Sequence, residues 1–487
     1  MCDRRTVPLS HKEYKMSWYN DVVFYHIYPL GMTGAPFDNP YGEPVSRIKD
    51  IEKWIPHIKE IGCGAIYIGP LFESKSHGYD TTDYKKLDGR LGTNDDLKAF
   101  VAKCHDNGIK VIFDGVFNHV GRDFFAFKDL KEKREGSEYK DWFCNVNFWG
   151  NNEFNDGFSY DNWGGYNILV KLNLWNQTVR DYLFDVVRFW VSEFDVDGIR
   201  LDAADVLNFD FMKQLRGLAN TIKPEFWLMG EVIHGEYVRW VNEGTLHSVT
   251  NYHLHKALYS GHNDHNYFEI AHTVKRLQDM GVNRNEGCML YNFTDNHDVE
   301  RIYTKLNNKA HFVPVHVLLY TLPGIPSIYY GSEFAIEGKK EKFSDASLRP
   351  CMKAEDYEED MISSFFGVLA TIRSYPGVTE ALSYGGYRQI ILTNRQYVFA
   401  RETNDRHVYV AVNNDENEAV VRFNAGSNTL RRFILVSGAN VTGKTKGEAE
   451  GGLIGNLDIG ETYIESAGNC YYEIKLPPCS GAIYMEE

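Results

Sequence analysis

Four carboxylates, each at the polar end of a short apolar run, constrain this chain more than any other feature. They are Asp114 in DGVFNH, Asp202 in DGIRLDAAD, Glu231 in MGEV and Asp298 in FTDNHD. An apolar run that turns polar reads as the tip of a buried strand. From 202 to 231 is 29 residues, about one strand-plus-helix unit of an eight-unit barrel of ~250 residues. From 231 to 298 is 67, about two units, and from 114 to 202 is 88, one unit plus an insertion. Acids spaced by whole units fall at the same end of a parallel barrel, where the active sites of such barrels lie.

The rest of the pattern agrees. Strand and helix signals alternate from about residue 20 to about 375. Val23–Tyr28, Ala65–Ile68 and Lys110–Phe113 read as the first three strands. Ile48, Ile51, Ile55, Ile58 and Ile61 recur at helical spacing, and Gly62 ends that helix. Asn94 reads as the cap of a helix that turns Leu97, Phe100, Val101 and Cys104 inward. Alternation lapses over 120–172, a stretch rich in Asn, Gly, Phe and Trp that reads as an insert after the third strand. It resumes with Asn176 capping a helix whose inner face is Val179, Leu183, Val186, Val187, Trp190 and Val191. The fourth and fifth strands lead into Asp202 and Glu231. A weaker sixth lies near Val249–Tyr252, the seventh is Met289–Phe293 and the eighth Ile325–Tyr330. After about 380 the period becomes two, with Val408, Val410 and Val412 on one face and Tyr409 and Ala411 on the other. The expected fold class is α/β: a (β/α)8 barrel with a small subdomain inserted after strand 3 and a C-terminal all-β sandwich. The expected boundaries are a polar tail over 1–17, barrel over 18–119 and 173–380, insert over 120–172 and β domain over 381–487.

Bulk properties narrow the partners. The 487 residues exceed one simple domain. A net charge of −15 argues against nucleic acid and anionic membrane. The eight cysteines are scattered without a CxxC pair, so neither a zinc ribbon nor a disulfide framework is expected. Cys63 and Cys104 sit among apolar residues and read as buried thiols. The first 17 residues hold no apolar core for a signal peptide, and no run of 18 apolar residues occurs, so a cytoplasmic location is expected. Glu337–Ser344, with three lysines, reads as a solvated loop.

At these motifs the chain resembles the alpha-amylase family of retaining glycoside hydrolases. The ordered set carries the resemblance: HGYDTTDY (77–84), DGVFNH (114–119), LVKLN (169–173), GIRLDAAD (198–205), GEV (230–232), FTDNHD (293–298) and GIPSIYYGSE (324–333). Retaining hydrolysis needs two carboxyl groups ~5 Å apart flanking the scissile bond, one nucleophile and one acid. The resemblance implies Asp202 as nucleophile, Glu231 as acid and then base, and Asp298 as the third acid, which binds sugar hydroxyls and helps distort the ring. Glu231 must have a raised pKa for its task, which the nearby charge of Asp202 would supply. Arg200, two residues before Asp202, points to the same side of its strand and is expected to hold the nucleophile ionised. His119 and His297 follow the family's sugar-binding histidines, His77 and Tyr79 the segment that stacks on the sugar at the cleavage site, and Asp345 with Arg349 the pair that binds the neighbouring sugar. Asp114 is implied as structural support for the loop and the arginine. Asn118 matches a calcium ligand of many members, but Asp205-Val206 replaces the lysine-histidine pair that often closes the nucleophile motif. No cofactor is required by the chemistry, and a structural calcium is the one metal the resemblance allows.

Within the family, LVKLN resembles without matching the MPKLN signature of the neopullulanase and cyclomaltodextrinase group. That group usually carries an extra N-terminal β domain, whereas about 20 residues precede the first strand here. Ala203, after the nucleophile, is the small residue of α-1,4-acting members, where α-1,6-specific glucosidases tend to have valine. The expected activity is therefore alpha-amylase-type hydrolysis of α-1,4 bonds in maltooligosaccharides or glucans. The alternatives on the same site are a 4-α-glucanotransferase or a cyclomaltodextrinase or neopullulanase. A non-catalytic glucan-binding or interaction subunit is the remote one, because all three acids are kept. Chain-length preference and oligomeric state are open.

Overall fold

A computed structural model describes residues 17–283, 288–439 and 453–487. Apart from Ser17, the expected polar tail lies outside the described residues, as does Cys2. Eight strands build the central sheet: β1 (Val23–Ile27), β2 (Cys63–Ile68), β3 (Lys110–Gly115), β4 (Gly198–Leu201), β5 (Trp227–Gly230), β6 (Ser248–Val249), β7 (Tyr291–Phe293) and β8 (Ile325–Tyr329). Every pairing is parallel, in the order β6-β5-β4-β3-β2-β1-β8-β7. β1 therefore meets β8, and the sheet curls into a barrel. Its last seam, between β6 and β7, is held by one bridge between Thr250 and Tyr291 and by Asn251 N–H donating to Tyr291 O at 2.9 Å. β1, β4, β5 and β8 are buried along their whole length, as strands covered on both faces must be.

The helices depart from expectation at two places. The isoleucines over 48–61 form two short helices, α1 (Ile48–Glu52) and α2 (Ile55–Glu60), rather than one. Pro56 explains the break. Its ring would clash with the carbonyl of Glu52 in a continuous helix, yet it is well placed in the first turn of a new one. The next helix, α3 (Asn94–Asp106), is capped by Thr93, not Asn94. Thr93 Oγ1 accepts from Asp96 N–H while the Asp96 carboxylate accepts from Thr93 N–H, a reciprocal capping box. Asn94 instead ties the helix to the preceding strand through Leu87 N–H and Lys85 O. Helix α4 (Gln177–Phe194) is capped by Asn176 as expected, with Val179, Leu183, Val186, Val187 and Trp190 buried and Val191 only half-buried. Trp190 stacks on Phe72 at 4.5 Å and donates to Tyr84 O at 2.7 Å.

Between β3 and α4 the chain leaves the barrel. His119–Gly121 pairs antiparallel with Tyr166–Lys171, which also pairs with Asn162–Trp163. Phe127, on a nine-residue helix, meets Phe143, Phe158 and Tyr160 with ring centroids 5.0–6.0 Å apart. The aromatic bias of this stretch is thus a small core of its own. Cys63 and Cys104 are buried thiols.

The C-terminal part is all-β. A six-stranded antiparallel sheet runs β9 (Gly386–Leu392), β10 (Gln396–Glu402), β11 (His407–Asn413), β16 (Ser480–Glu486), β13 (Thr429–Gly438) and β14 (Ile454–Glu465). A separate pair, β12 (Ala419–Asn424) with β15 (Tyr471–Leu476), covers one of its faces. The period of two in β11 now has a meaning. Val408, Val410 and Val412 belong to the barrel's own hydrophobic core, whereas Tyr409 and Ala411 pack with Val421, Phe423 and Ile474 of the covering pair. Among the described residues no helix is long and apolar enough to cross a membrane.

Several histidines are buried in this framework. Burial lowers His316 to about 4 and His255 to about 3, although Phe312 O and Thr294 O face their Nδ1 atoms. Their folded pKa values lie below the unfolded value of ~6.5, so the unfolded chain takes up protons first. The stability of the neutral form is complete above about pH 6.5 and is lost as pH falls toward the folded value. Each histidine contributes a slope of about 1.4 kcal/mol per pH unit. We expect His316→Gln to flatten the decline of urea-unfolding stability between about pH 6 and 5 by that amount. Equal slopes in variant and wild type would refute it.

Candidate active site

The strand tips at one end of the barrel deliver the acids. Asp114 lies near the end of β3 and is the direct cross-strand neighbour of Arg200 on β4. Asp202 follows β4 by one residue, Glu231 follows β5, and Asp298 lies on the loop after β7. Arg200 joins three of them. Its Nη1 contacts Asp114 Oδ1 and Asp202 Oδ1, each at 2.9 Å, and its Nη2 contacts Glu231 Oε2 at 2.9 Å. Asp114 is buried and also accepts from Tyr67 OH at 3.0 Å and Tyr79 OH at 3.2 Å.

The two oxygens of Glu231 are in different environments. Oε2 accepts from Arg200 and, at 3.1 Å, from Ala203 N–H. Oε1 has only Tyr252 OH at 3.4 Å, and Asn296 Nδ2 donates to that hydroxyl at 3.2 Å. A proton on a neutral Glu231 therefore sits on Oε1, because Oε2 already faces two donors. The Ala203 N–H reaches Oε2 because Ala203 adopts a left-handed backbone, φ 46° and ψ 43°.

Burial pushes the Asp202 carboxyl well above the usual range, and the charges of Glu231 and Asp114 add to this against the pull of Arg200. One guanidinium shared by three carboxylates pulls Asp202 down, the direction expected from sequence, and offsets burial in part. Asp298 behaves oppositely. Burial would raise it, but His297, Arg349 and Arg200 outweigh that and hold its carboxyl below the usual range. Its oxygens contact Arg349 Nη2 at 2.9 Å and His297 Nε2 at 3.1 Å.

A cleft of about 1320 Å³ opens over these groups. Of the residues singled out from sequence, Asp202, Glu231, Asp298, His77, Tyr79, His119, Asp345 and Arg349 line it. Arg200, His297, Asp114 and Asn118 stand behind the lining instead. Arg200 and His297 both rest on neighbouring side chains. His297 stacks on Tyr79 with ring centroids 5.6 Å apart and bonds its hydroxyl. Arg349 contacts Asp345 at 3.1 Å, lies over the Tyr28 ring and donates to His297 O. The solvated loop near 340 is mostly exposed, yet Lys340 Nζ donates to Asp298 O at 2.8 Å, anchoring it at the cleft.

Comparison with known proteins agrees with this geometry. The family described as "Alpha amylase, catalytic domain" matches residues 34–366. A cyclomaltodextrinase of Thermoanaerobacter pseudethanolicus is 32% identical over 84% of this chain and 72% of its own length. The chain belongs to the alpha-amylase family. A maltogenic alpha-amylase of Bacillus acidopullulyticus is 34% identical over 69% of this chain and 59% of its own. Among solved structures, the native Nostoc punctiforme debranching enzyme is 26% identical with a TM-score of 0.78, covering 97% of this chain and all of that one. As a family member the chain is a glycoside hydrolase.

Asn118, the expected calcium ligand, follows β3 at the same end of the barrel as the acids. Asn118 is buried, and its Nδ2 lies 3.2 Å from His119 Nδ1. Calcium takes about six to eight oxygen ligands. Sequence reading missed Tyr67, Tyr252, Trp163 and Lys340. Tyr252 was visible as a tyrosine just after the sixth strand. Trp163, stacked parallel to His119 at 6.3 Å, comes from the insert, whose pairing no periodicity announced.

Asp114→Asn removes one charge that raises Asp202 and frees part of Arg200. Both effects favour the ionised nucleophile. Activity is lost as pH falls through the Asp202 pKa, so the acid limb of kcat/KM should move to lower pH, by on the order of one unit. An unmoved limb with a merely lower rate would mean that Asp114 acts only through folding.

Proposed function

We propose that this chain hydrolyses α-1,4 bonds of short and cyclic maltooligosaccharides by double displacement, in the manner of the cyclomaltodextrinase and maltogenic group. The names of the most similar relatives favour this over the plain alpha-amylase activity expected from Ala203. The site chemistry rests on the shared guanidinium of Arg200. Asp202 Oδ1 is engaged by Arg200, which leaves Oδ2 to attack the anomeric carbon. As that C–O bond forms, the bond to the leaving oxygen breaks, and the Glu231 Oε1 proton passes to it. In the second half Glu231 takes a proton from water, whose oxygen displaces Asp202. Asp298, held ionised by Arg349 and His297, accepts from hydroxyls of the distorted ring. His77, Tyr79 and His119 line the wall that the same ring faces.

A product profile tests the substrate class. We expect kcat/KM on cyclomaltodextrins and maltotriose at least tenfold above that on soluble starch. Preferential attack on starch would restore the alpha-amylase reading. Products longer than maltotriose at low substrate concentration would point to a glucanotransferase.

The acid role has its own test. Glu231→Gln should lower kcat on maltotriose by about 10²–10⁴-fold. On α-maltosyl fluoride, whose leaving group needs no proton, the loss in the first step should be much smaller. Asp202→Asn should abolish both reactions. Equal losses for Glu231→Gln on the two substrates would remove Glu231 from the acid role.

A further inference from the structure

Away from the cleft, where the barrel meets the C-terminal sheet, three side chains converge. His265 follows helix α5 (Tyr252–Asn263), His311 immediately precedes helix α6 (Phe312–Thr321), and Glu416 lies in the turn after β11. One ligand atom from each lies within 4.8 Å of the other two, and no other such group of three occurs among the described residues. We propose that these residues bind a divalent transition-metal cation of the zinc type, which fastens the C-terminal domain to the barrel.

The partners of the two imidazole rings support this. Metal-bound histidines commonly direct their other ring nitrogen to a fixed partner, which sets the tautomer. Here a single buried residue serves both rings. His311 Nε2 lies 2.9 Å from Asn414 O, and His265 Nδ1 lies 3.3 Å from Asn414 Oδ1. With protons on those nitrogens, His311 Nδ1 and His265 Nε2 carry the lone pairs. His265 Nε2 lies 3.3 Å from Glu416 Oε1. His311 is 1% exposed, and its Nδ1 is buried with no hydrogen-bond partner. An unspent buried acceptor is what an ordinary ion pair between domains would not leave.

Two imidazoles and one carboxylate suit zinc, with water as a fourth ligand. Arg395 contacts Glu416 Oε2 at 3.1 Å, so it orients the carboxylate from the outer side and leaves Oε1 toward the histidines. It also approaches His265 Nδ1 at 3.4 Å, which stabilises the opposite tautomer, with His265 Nε2–H donating to Glu416, when no cation is bound.

The test is zinc titration into the full chain after chelator treatment, against a chromophoric chelator, with thermal unfolding in parallel. Glu416 is more than half exposed, so Glu416→Gln does not threaten the fold. We expect one equivalent bound by wild type, with a Tm that rises with zinc. Glu416→Gln and His265→Gln should each weaken binding at least tenfold and lose the Tm rise. The double variant Asp202→Asn/Glu231→Gln should keep the equivalent, which separates this site from the cleft acids. The proposal is overturned if wild type binds no zinc, if neither variant weakens binding, or if the cleft variant abolishes it.

Discussion

The contact on which this site depends is the one guanidinium of Arg200 set among three carboxylates. Breaking a buried ion pair by removing one partner costs about 3–5 kcal/mol, and here one cation serves Asp114, Asp202 and Glu231 at once. The balance is deliberately incomplete: two negative charges remain unless a proton is held. That deficit is part of what raises the Asp202 carboxyl. It also leaves negative potential where positive charge develops on the sugar ring, in a setting that needs no reorganisation at the moment of reaction.

Much of this was legible in the sequence for a geometric reason. Acids separated by whole barrel units must share one end, and Asp114 and Arg200 come out as direct neighbours on adjacent strands. What was not legible depends on contacts between distant segments. Arg200 was expected beside Asp202 and Asp114, but nothing in the local spacing shows that its guanidinium also reaches Glu231. The helix over 48–61 followed its isoleucine period on paper, but Pro56 divides it. Asn94 and Thr93 are both good caps, and only the position of Asp96 three residues beyond Thr93 decides between them. The sixth strand is two residues long, Ser248–Val249, and overlaps the expected Val249–Tyr252 only at Val249, because Tyr252 already opens the next helix.

The C-terminal domain is joined to the barrel rather than tethered to it. One face of β11 completes the barrel's hydrophobic core while the other builds the sheet's own. The joint also has a polar component. Arg401 is fully buried and donates to Thr321 O, Gly385 O and Gly386 O, and Arg373 donates to Tyr320 O and Gly324 O, so two guanidiniums cap backbone carbonyls at the end of α6 and beyond. Among the described residues the β domain contributes none to the cleft lining.

The left-handed backbone of Ala203 restricts what can stand beside the nucleophile. Its conformation aims an N–H at Glu231, so the residue beside the nucleophile is tied to the acid through the main chain. A β-branched side chain is poorly tolerated at positive φ. Exchanging alanine for valine here is therefore not a one-step change of pocket shape. It asks the peptide to turn, and the acid would lose a donor as it did so.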